Sequence, residues 1–131
     1  MISRDRFRDA PVGPKADRSV WPLDARVRED LRRLGRRQAE RGVRLFLFGS
    51  VARTWPLAAR GSDLDIGYEL PACDPTIAAQ LRRELEHQVE ELGTIRPIDL
   101  IDFSSVALTF RTEAMKRIVE LVDERVATTT D

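Results

Sequence analysis

The segment Asp63-Leu64-Asp65-Ile66-Gly67-Tyr68-Glu69-Leu70 alternates its side chains with a period of two, the pattern of a strand half buried in a sheet. Leu64, Ile66, Tyr68 and Leu70 fall on one face, and Asp63 and Asp65 fall together on the other. Ordinary strand packing gives no reason to place two acids side by side, because neighbouring carboxylates repel and raise one another's pKa. A shared cation supplies that reason.

The rest of the chain reads as a small α+β domain: a mixed β-sheet of three or more strands covered by helices. From Asp24, an N-cap, the apolar positions Val27, Leu31, Leu34 and Ala39 recur at helical spacing until Gly42, a C-cap. Val43 to Phe48 is a buried strand that runs straight into Gly49-Ser50. Val51 to Trp55 forms a short helical turn that Pro56 stops, and the loop Pro56 to Ser62 leads to the acidic strand. Asp74-Pro75 starts a second helix and Gly93 ends it, with Ile77, Leu81, Leu85, Val89 and Leu92 as its apolar stripe. Ile95 to Phe103 is a third strand. Ser104 or Ser105 caps a final helix reaching about Val126, broadly apolar through Val106, Phe110, Met115, Ile118, Val119, Leu121 and Val122, a face for the core or for a partner. Residues 1–22 read as a flexible or loosely docked arm, 23–127 as the domain and 128–131 as a frayed tail.

Composition narrows the function classes. A chain of 131 residues builds one core of this size, and its 42% hydrophobic and 34% charged residues are those of a soluble globular protein. No apolar run is long enough for a membrane span or a secretory signal, so cytoplasmic residence is the expectation. A single cysteine, Cys73, fits a reducing compartment and is structurally incidental. Net charge is zero, from 22 basic and 22 acidic residues, which makes direct nucleic-acid binding an unfavoured function. Eight arginines between Arg26 and Arg44 face only Glu29, Asp30 and Glu40; they read as a solvated helix face with local ion pairs.

A third acid from another strand would complete a site for one or two hard cations, and Asp99 is the best placed. Strand parity puts Asp99 on a face with Ile101, and puts Asp102 on the opposite face with Ile98 and Leu100, where it reads as a polar strand end. Magnesium suits an all-carboxylate site, and the one histidine, His87, lies on the covering helix as a surface residue. Gly49-Ser50, at a strand-to-helix turn, offers backbone N–H groups and a hydroxyl to a phosphate, and Arg53 can reach the same anion.

Gly-Ser-Val-Ala-Arg at 49–53, Gly-Ser-Asp-Leu-Asp-Ile at 61–66 and Ile-Asp-Leu-Ile-Asp at 98–102 together resemble the polymerase-beta-type nucleotidyltransferase superfamily. Within it the short chain is similar to the minimal nucleotidyltransferases (MNT), the antitoxin partners of HEPN toxins. The resemblance spans roughly residues 24–120. It implies a polymerase-beta-like palm fold, two Mg2+ ions held by Asp63, Asp65 and Asp99, and ATP bound through Gly49, Ser50, Arg53 and Ser62. It further implies AMP transfer to a protein hydroxyl, a tyrosine of the cognate HEPN ribonuclease toxin, in a hetero-oligomer. The chain departs from the family at Thr54-Trp55-Pro56, where a glycine is common, and at Val119 to Val122, where a glycine-containing ending is common. Two other functions use the same residues differently: nucleotide transfer to a small molecule such as an aminoglycoside, and toxin neutralisation by occlusion without catalysis.

Overall fold

The computed structural model describes residues 19–129, which form seven strands and four helices. Residues 1–18 of the expected arm, and 130–131 of the expected tail, lie outside the described residues. In chain order the elements are β1 (Val20–Pro22), α1 (Ala25–Ala39), β2 (Arg44–Phe48), α2 (Gly49–Thr54), β3 (Leu57–Ala59), β4 (Leu64–Glu69), α3 (Pro75–Glu90), β5 (Ile98–Asp102), α4 (Leu108–Ala114), β6 (Arg117–Glu120) and β7 (Arg125–Thr128). Five strands make one mixed sheet in the order β5-β4-β2-β6-β7, in which only β4 and β5 are parallel. A parallel neighbour demands a long crossover, and α3 supplies it. The fold is therefore α+β with a mixed sheet.

The long helices begin where their caps predict. The Asp24 side chain accepts from the Arg26 N–H at 2.7 Å, and Asp74 accepts from the Ile77 N–H at 3.0 Å, each satisfying a donor that has no partner inside its helix. On α1 the buried stripe is Val27, Leu31, Leu34 and Gln38, whereas Ala39 is exposed. Gln38 is buried with its Nε2 donating to Gln88 Oε1 at 2.6 Å, a polar contact that joins α1 to α3, while its Oε1 is buried without a partner among the described residues. On α3, Leu85 and Val89 are buried, and Ile77 is exposed.

Alternation divides the sheet into two unlike faces. Leu45, Leu47, Leu64, Ile66, Tyr68 and Val119 join Leu31, Leu34, Leu85 and Val89 in the main core beneath α1 and α3. Phe46, Phe48, Phe103 and Ile118 form a smaller core on the other face. The Phe103 ring meets Phe46 at 4.9 Å and Phe48 at 5.0 Å, both edge-on, the orientation that the ring quadrupoles favour. Phe110 of α4 reaches Phe48 edge-on at 6.0 Å, so α4 lies over this second face.

Three expectations are corrected. The final helix to Val126 is instead a single short helix, α4, followed by the β6-β7 hairpin. Ile118, Val119, Leu121 and Val122 satisfy helical spacing, yet β-branched residues dominate this stretch, and β2 has a free edge that β6 fills through Phe46↔Glu120 and Leu47↔Val119. The arm does not extend to residue 22: Val20, Trp21 and Pro22 pair antiparallel with Ala59, Ala58 and Leu57, turning part of the expected loop 56–62 into a two-stranded ribbon. Thr128 belongs to β7, and the Thr129 N–H donates to the Lys116 carbonyl at 2.8 Å, so the expected tail is tied down at its start.

Arg28, Arg32 and Arg33 of the arginine-rich α1 make ion pairs. Arg28 and Arg32 both reach Glu124, Arg32 and Arg33 reach Glu29, Arg33 reaches Asp30 and, just past the helix, Arg41 reaches Glu84.

Gly35 marks the tightest approach of α1 to the sheet. A Cβ there would stand 2.7 Å from the backbone carbonyl carbon of Leu121, whose own N–H is tied to the Leu45 carbonyl at 3.1 Å and cannot yield. Alanine is favoured over glycine inside a helix by about 1 kcal/mol, but overpacking costs about 1–3 kcal/mol. Gly35→Ala is therefore expected to lower the urea midpoint with an unchanged m-value; a raised midpoint would show that the helix preference wins.

Candidate metal centre

Parallel pairing of β4 with β5 sets Asp65 directly opposite Asp99, one step after Leu64↔Ile98. Partners in register project to the same side, so two carboxylates from different strands share the face that α1 and α3 do not cover. Asp63 joins them from the residue before β4. Each of the three offers a carboxylate oxygen within 4.8 Å of the others, with Asp63 and Asp99 exposed and Asp65 half-buried. Residues paired by alternation in the sequence are thus brought together in space.

Asp102 goes the other way, as strand parity predicts. It is matched with Tyr68 in the ladder and accepts from Arg82 Nη2 at 2.9 Å, while Arg82 Nε donates to the Tyr68 hydroxyl at 3.2 Å. Asp102 is a structural ion pair between α3 and the sheet. His87 is exposed on α3, 3.5 Å from Glu91 and on the helix side of the sheet.

Gly49 has a role beyond the one its sequence position suggests. It follows Phe48, the ladder partner of Asp65, and adopts φ +74°, a conformation open chiefly to glycine. A Cβ at this position would collide with the Asp65 carboxylate, whose Cγ would be only 3.2 Å away. The missing side chain therefore makes room for the Asp65 carboxylate. Ser50 and Arg53 are exposed on α2, and Arg53 is near enough for its charge to act on Asp65. α2 itself is anchored: Arg117 Nε donates to the Ala52 carbonyl at 2.8 Å, and the Thr54 hydroxyl donates to the Leu57 carbonyl at 2.6 Å.

Ser62 is half-buried, and its hydroxyl accepts from Arg96 Nη1 at 3.0 Å. The same nitrogen donates to the Ala59 and Ser62 carbonyls, each at 3.0 Å. Arg96 was not legible as a site residue in the sequence, because its partners lie 34 and 37 positions away in the chain.

The electrostatics match a cation site. Burial pushes the Asp65 carboxyl above the ordinary value of 3.8; the charges of Asp99 and Asp63 and a hydrogen bond with Asp99 push it further, and Arg53 opposes them. An all-oxygen donor set with no nitrogen or sulfur ligand fits a hard divalent cation such as Mg2+ rather than zinc. No family model matches the chain and no curated protein matches it. The fold and site define an α+β protein with a carboxylate cluster on the sheet face opposite α1 and α3. No helix among the described residues is long and apolar enough to cross a membrane.

The raised Asp65 pKa has a thermodynamic consequence. A carboxyl that binds its proton more tightly in the folded than in the unfolded state lowers stability above its raised pKa, and this cost fades as pH falls toward 3.8. In EDTA, Asp65→Asn should melt at a higher temperature than the wild type at pH 7, with the gap closing as the pH approaches 3.8. Equal melting temperatures at pH 7 would mean that burial and the neighbouring acids together do not disfavour the Asp65 charge in the metal-free fold.

Proposed function

We propose that this protein is a metal-dependent nucleotidyltransferase of the polymerase-beta type, transferring AMP from ATP to a protein hydroxyl. Its acceptor is a tyrosine of a cognate HEPN-type ribonuclease toxin, and it acts as an MNT antitoxin. The observation that carries this reading is the convergence of Asp63, Asp65 and Asp99 at one end of the sheet beside Gly49, with Asp63 and Asp99 exposed. Isolated acids are common on protein surfaces. Two from neighbouring strands and one from the turn before β4, with a glycine making way for one of them, are not explained by packing.

Asp63, Asp65 and Asp99 would hold Mg2+, which supplies neutralisation of phosphate charge and a lowered pKa for the acceptor hydroxyl. Around that centre the chain's own groups divide the work. The first-turn N–H groups of α2 have no carbonyl partner within the helix and, with the Ser50 hydroxyl, face the phosphates of ATP. Arg53 adds positive charge on the same side. In the reaction the acceptor oxygen forms a bond to the α-phosphorus, the α–β anhydride bond breaks, and pyrophosphate departs with that electron pair. The hydroxyl proton passes to a carboxylate oxygen of Asp99, the exposed acid of β5, and from there to solvent.

Incubation with Mg2+, labelled ATP and a HEPN-type protein encoded beside this one should add one or more AMP units to the partner, read by intact mass. Asp65→Asn and Asp99→Asn should reduce transfer by more than the roughly 10–100-fold typical of losing a residue that merely supports a ligand. A partner inhibited with its mass unchanged identifies occlusion, and label appearing only on an added aminoglycoside identifies a small-molecule enzyme.

A further inference from the structure

The three acids are not held in the same way. Asp65 and Asp99 sit inside the β4-β5 ladder, where backbone hydrogen bonds fix both. Asp63 precedes the ladder, and its position depends on the turn that leads into it. That turn spans Ala59, Arg60, Gly61 and Ser62: the Ser62 N–H donates to the Ala59 carbonyl at 3.1 Å, and Gly61 has φ +78° at the third position, the signature of a type II turn. Among the described residues nothing lies near the place a Cβ would occupy at Gly61, and the tip of the turn is touched only through Arg60, whose guanidinium lies 5.6 Å from the centre of the exposed Trp21 ring.

Arg96 braces it at its ends. Nη1 donates to the carbonyls of Ala59 and Ser62, the first and last residues of the turn, and to the Ser62 hydroxyl. The next residue, Pro97, accepts from the Leu64 N–H at 2.9 Å, on the other side of Asp63. Residues 96 and 97 thus grip the chain on both sides of Asp63, three and two positions before Asp99 on the same segment. We infer that Arg96 is the positioning residue that sets Asp63 against Asp65 and Asp99, coupling the loop acid to the strand acids. The inference rests on the metal-binding part of the proposed function.

The sign of the effect separates positioning from charge. Removing a cation near three carboxylates would by electrostatics alone tighten binding of a divalent metal; losing the clamp weakens it. Arg96→Met should therefore bind Mn2+, measured by electron paramagnetic resonance, about 10–100-fold more weakly than the wild type. Arg96→Lys should recover part of the loss, since all three bonds leave one nitrogen, whose two N–H groups must share three acceptors, and an ammonium brings three donors. In the metal-free proteins, amide exchange at Ser62 should be faster in Arg96→Met. Unchanged or tighter Mn2+ binding by folded Arg96→Met, or an unaltered Ser62 exchange rate, overturns the inference. Should Arg96→Met not fold, Ser62→Ala takes its place: weaker Mn2+ binding supports the clamp, and wild-type affinity in both Ser62→Ala and Arg96→Lys overturns it. A wild-type protein that binds no Mn2+ overturns the metal reading itself, a result distinct from any difference between variants.

Discussion

Side-by-side placement of Asp65 and Asp99 by the parallel β4-β5 ladder is the constraint around which the sheet face opposite α1 and α3 is organised. Two like charges 4 Å apart repel by about 4 kcal/mol at an effective dielectric near 20, less where water reaches them. Nothing on that face compensates within the ladder. What holds the strands in register is the opposite face, where Leu64, Ile66 and Tyr68 of β4 are fully packed against Leu45, Leu47, Leu85 and the first helix. A one-residue slip would carry these apolar side chains to the opposite face and the acids into the main core. The cost of bringing the acids together is thus offset by burial on the far side of the same strand.

The contrast along β4 sharpens this point. Asp65, Gly67 and Glu69 share one face, yet the two acids meet opposite fates. At Glu69 burial favours the protonated form, but hydrogen bonds from Arg111 and Arg44 outweigh it and hold the carboxyl below its ordinary value. Arg44 also grips Glu120, which lies almost fully buried on β6. At the other end of the strand, Asp65 has two carboxylates for neighbours and is pushed up. Between them Gly67 leaves a gap that the Phe46 and Phe103 rings fill, since a Cβ there would stand 2.7 Å from the Phe103 ring. The face is therefore graded: an internally neutralised ionic cluster, an aromatic floor, then a cluster whose neutralising charge must come from outside.

Much of this was legible in the sequence wherever the deciding interaction is local. Alternation placed Asp63 and Asp65 together, parity separated Asp99 from Asp102, and Asp24 and Asp74 marked helix starts. Legibility failed where a distant partner decides. Ile118 to Val122 satisfies a helical wheel, and only the vacant edge of β2 makes Ile118 and Val119 strand residues. The short segment Val20–Pro22 carries little pattern of its own and becomes a strand because Leu57–Ala59 presents a matching edge. Gly49 reads as a turn glycine, and its second role appears only once Asp65 lies beside it.

The same division explains how a small chain can carry exposed acids without weakening its core. The main core beneath α1 and α3 contains neither the triad nor Gly49, so substitutions among the acids leave its packing intact. Conversely, the residues that shape the site without touching a ligand act by geometry: Arg117 anchors α2 through a backbone carbonyl, and Arg96 does the same for the turn before Asp63. Both are arginines on main-chain oxygens, contacts that a pattern of side-chain types cannot reveal. Since a carbonyl is present whatever the residue, this part of the support does not depend on the loop's side chains, whereas Gly61 is held to its type by φ +78° and Ser62 by the hydroxyl it offers Arg96.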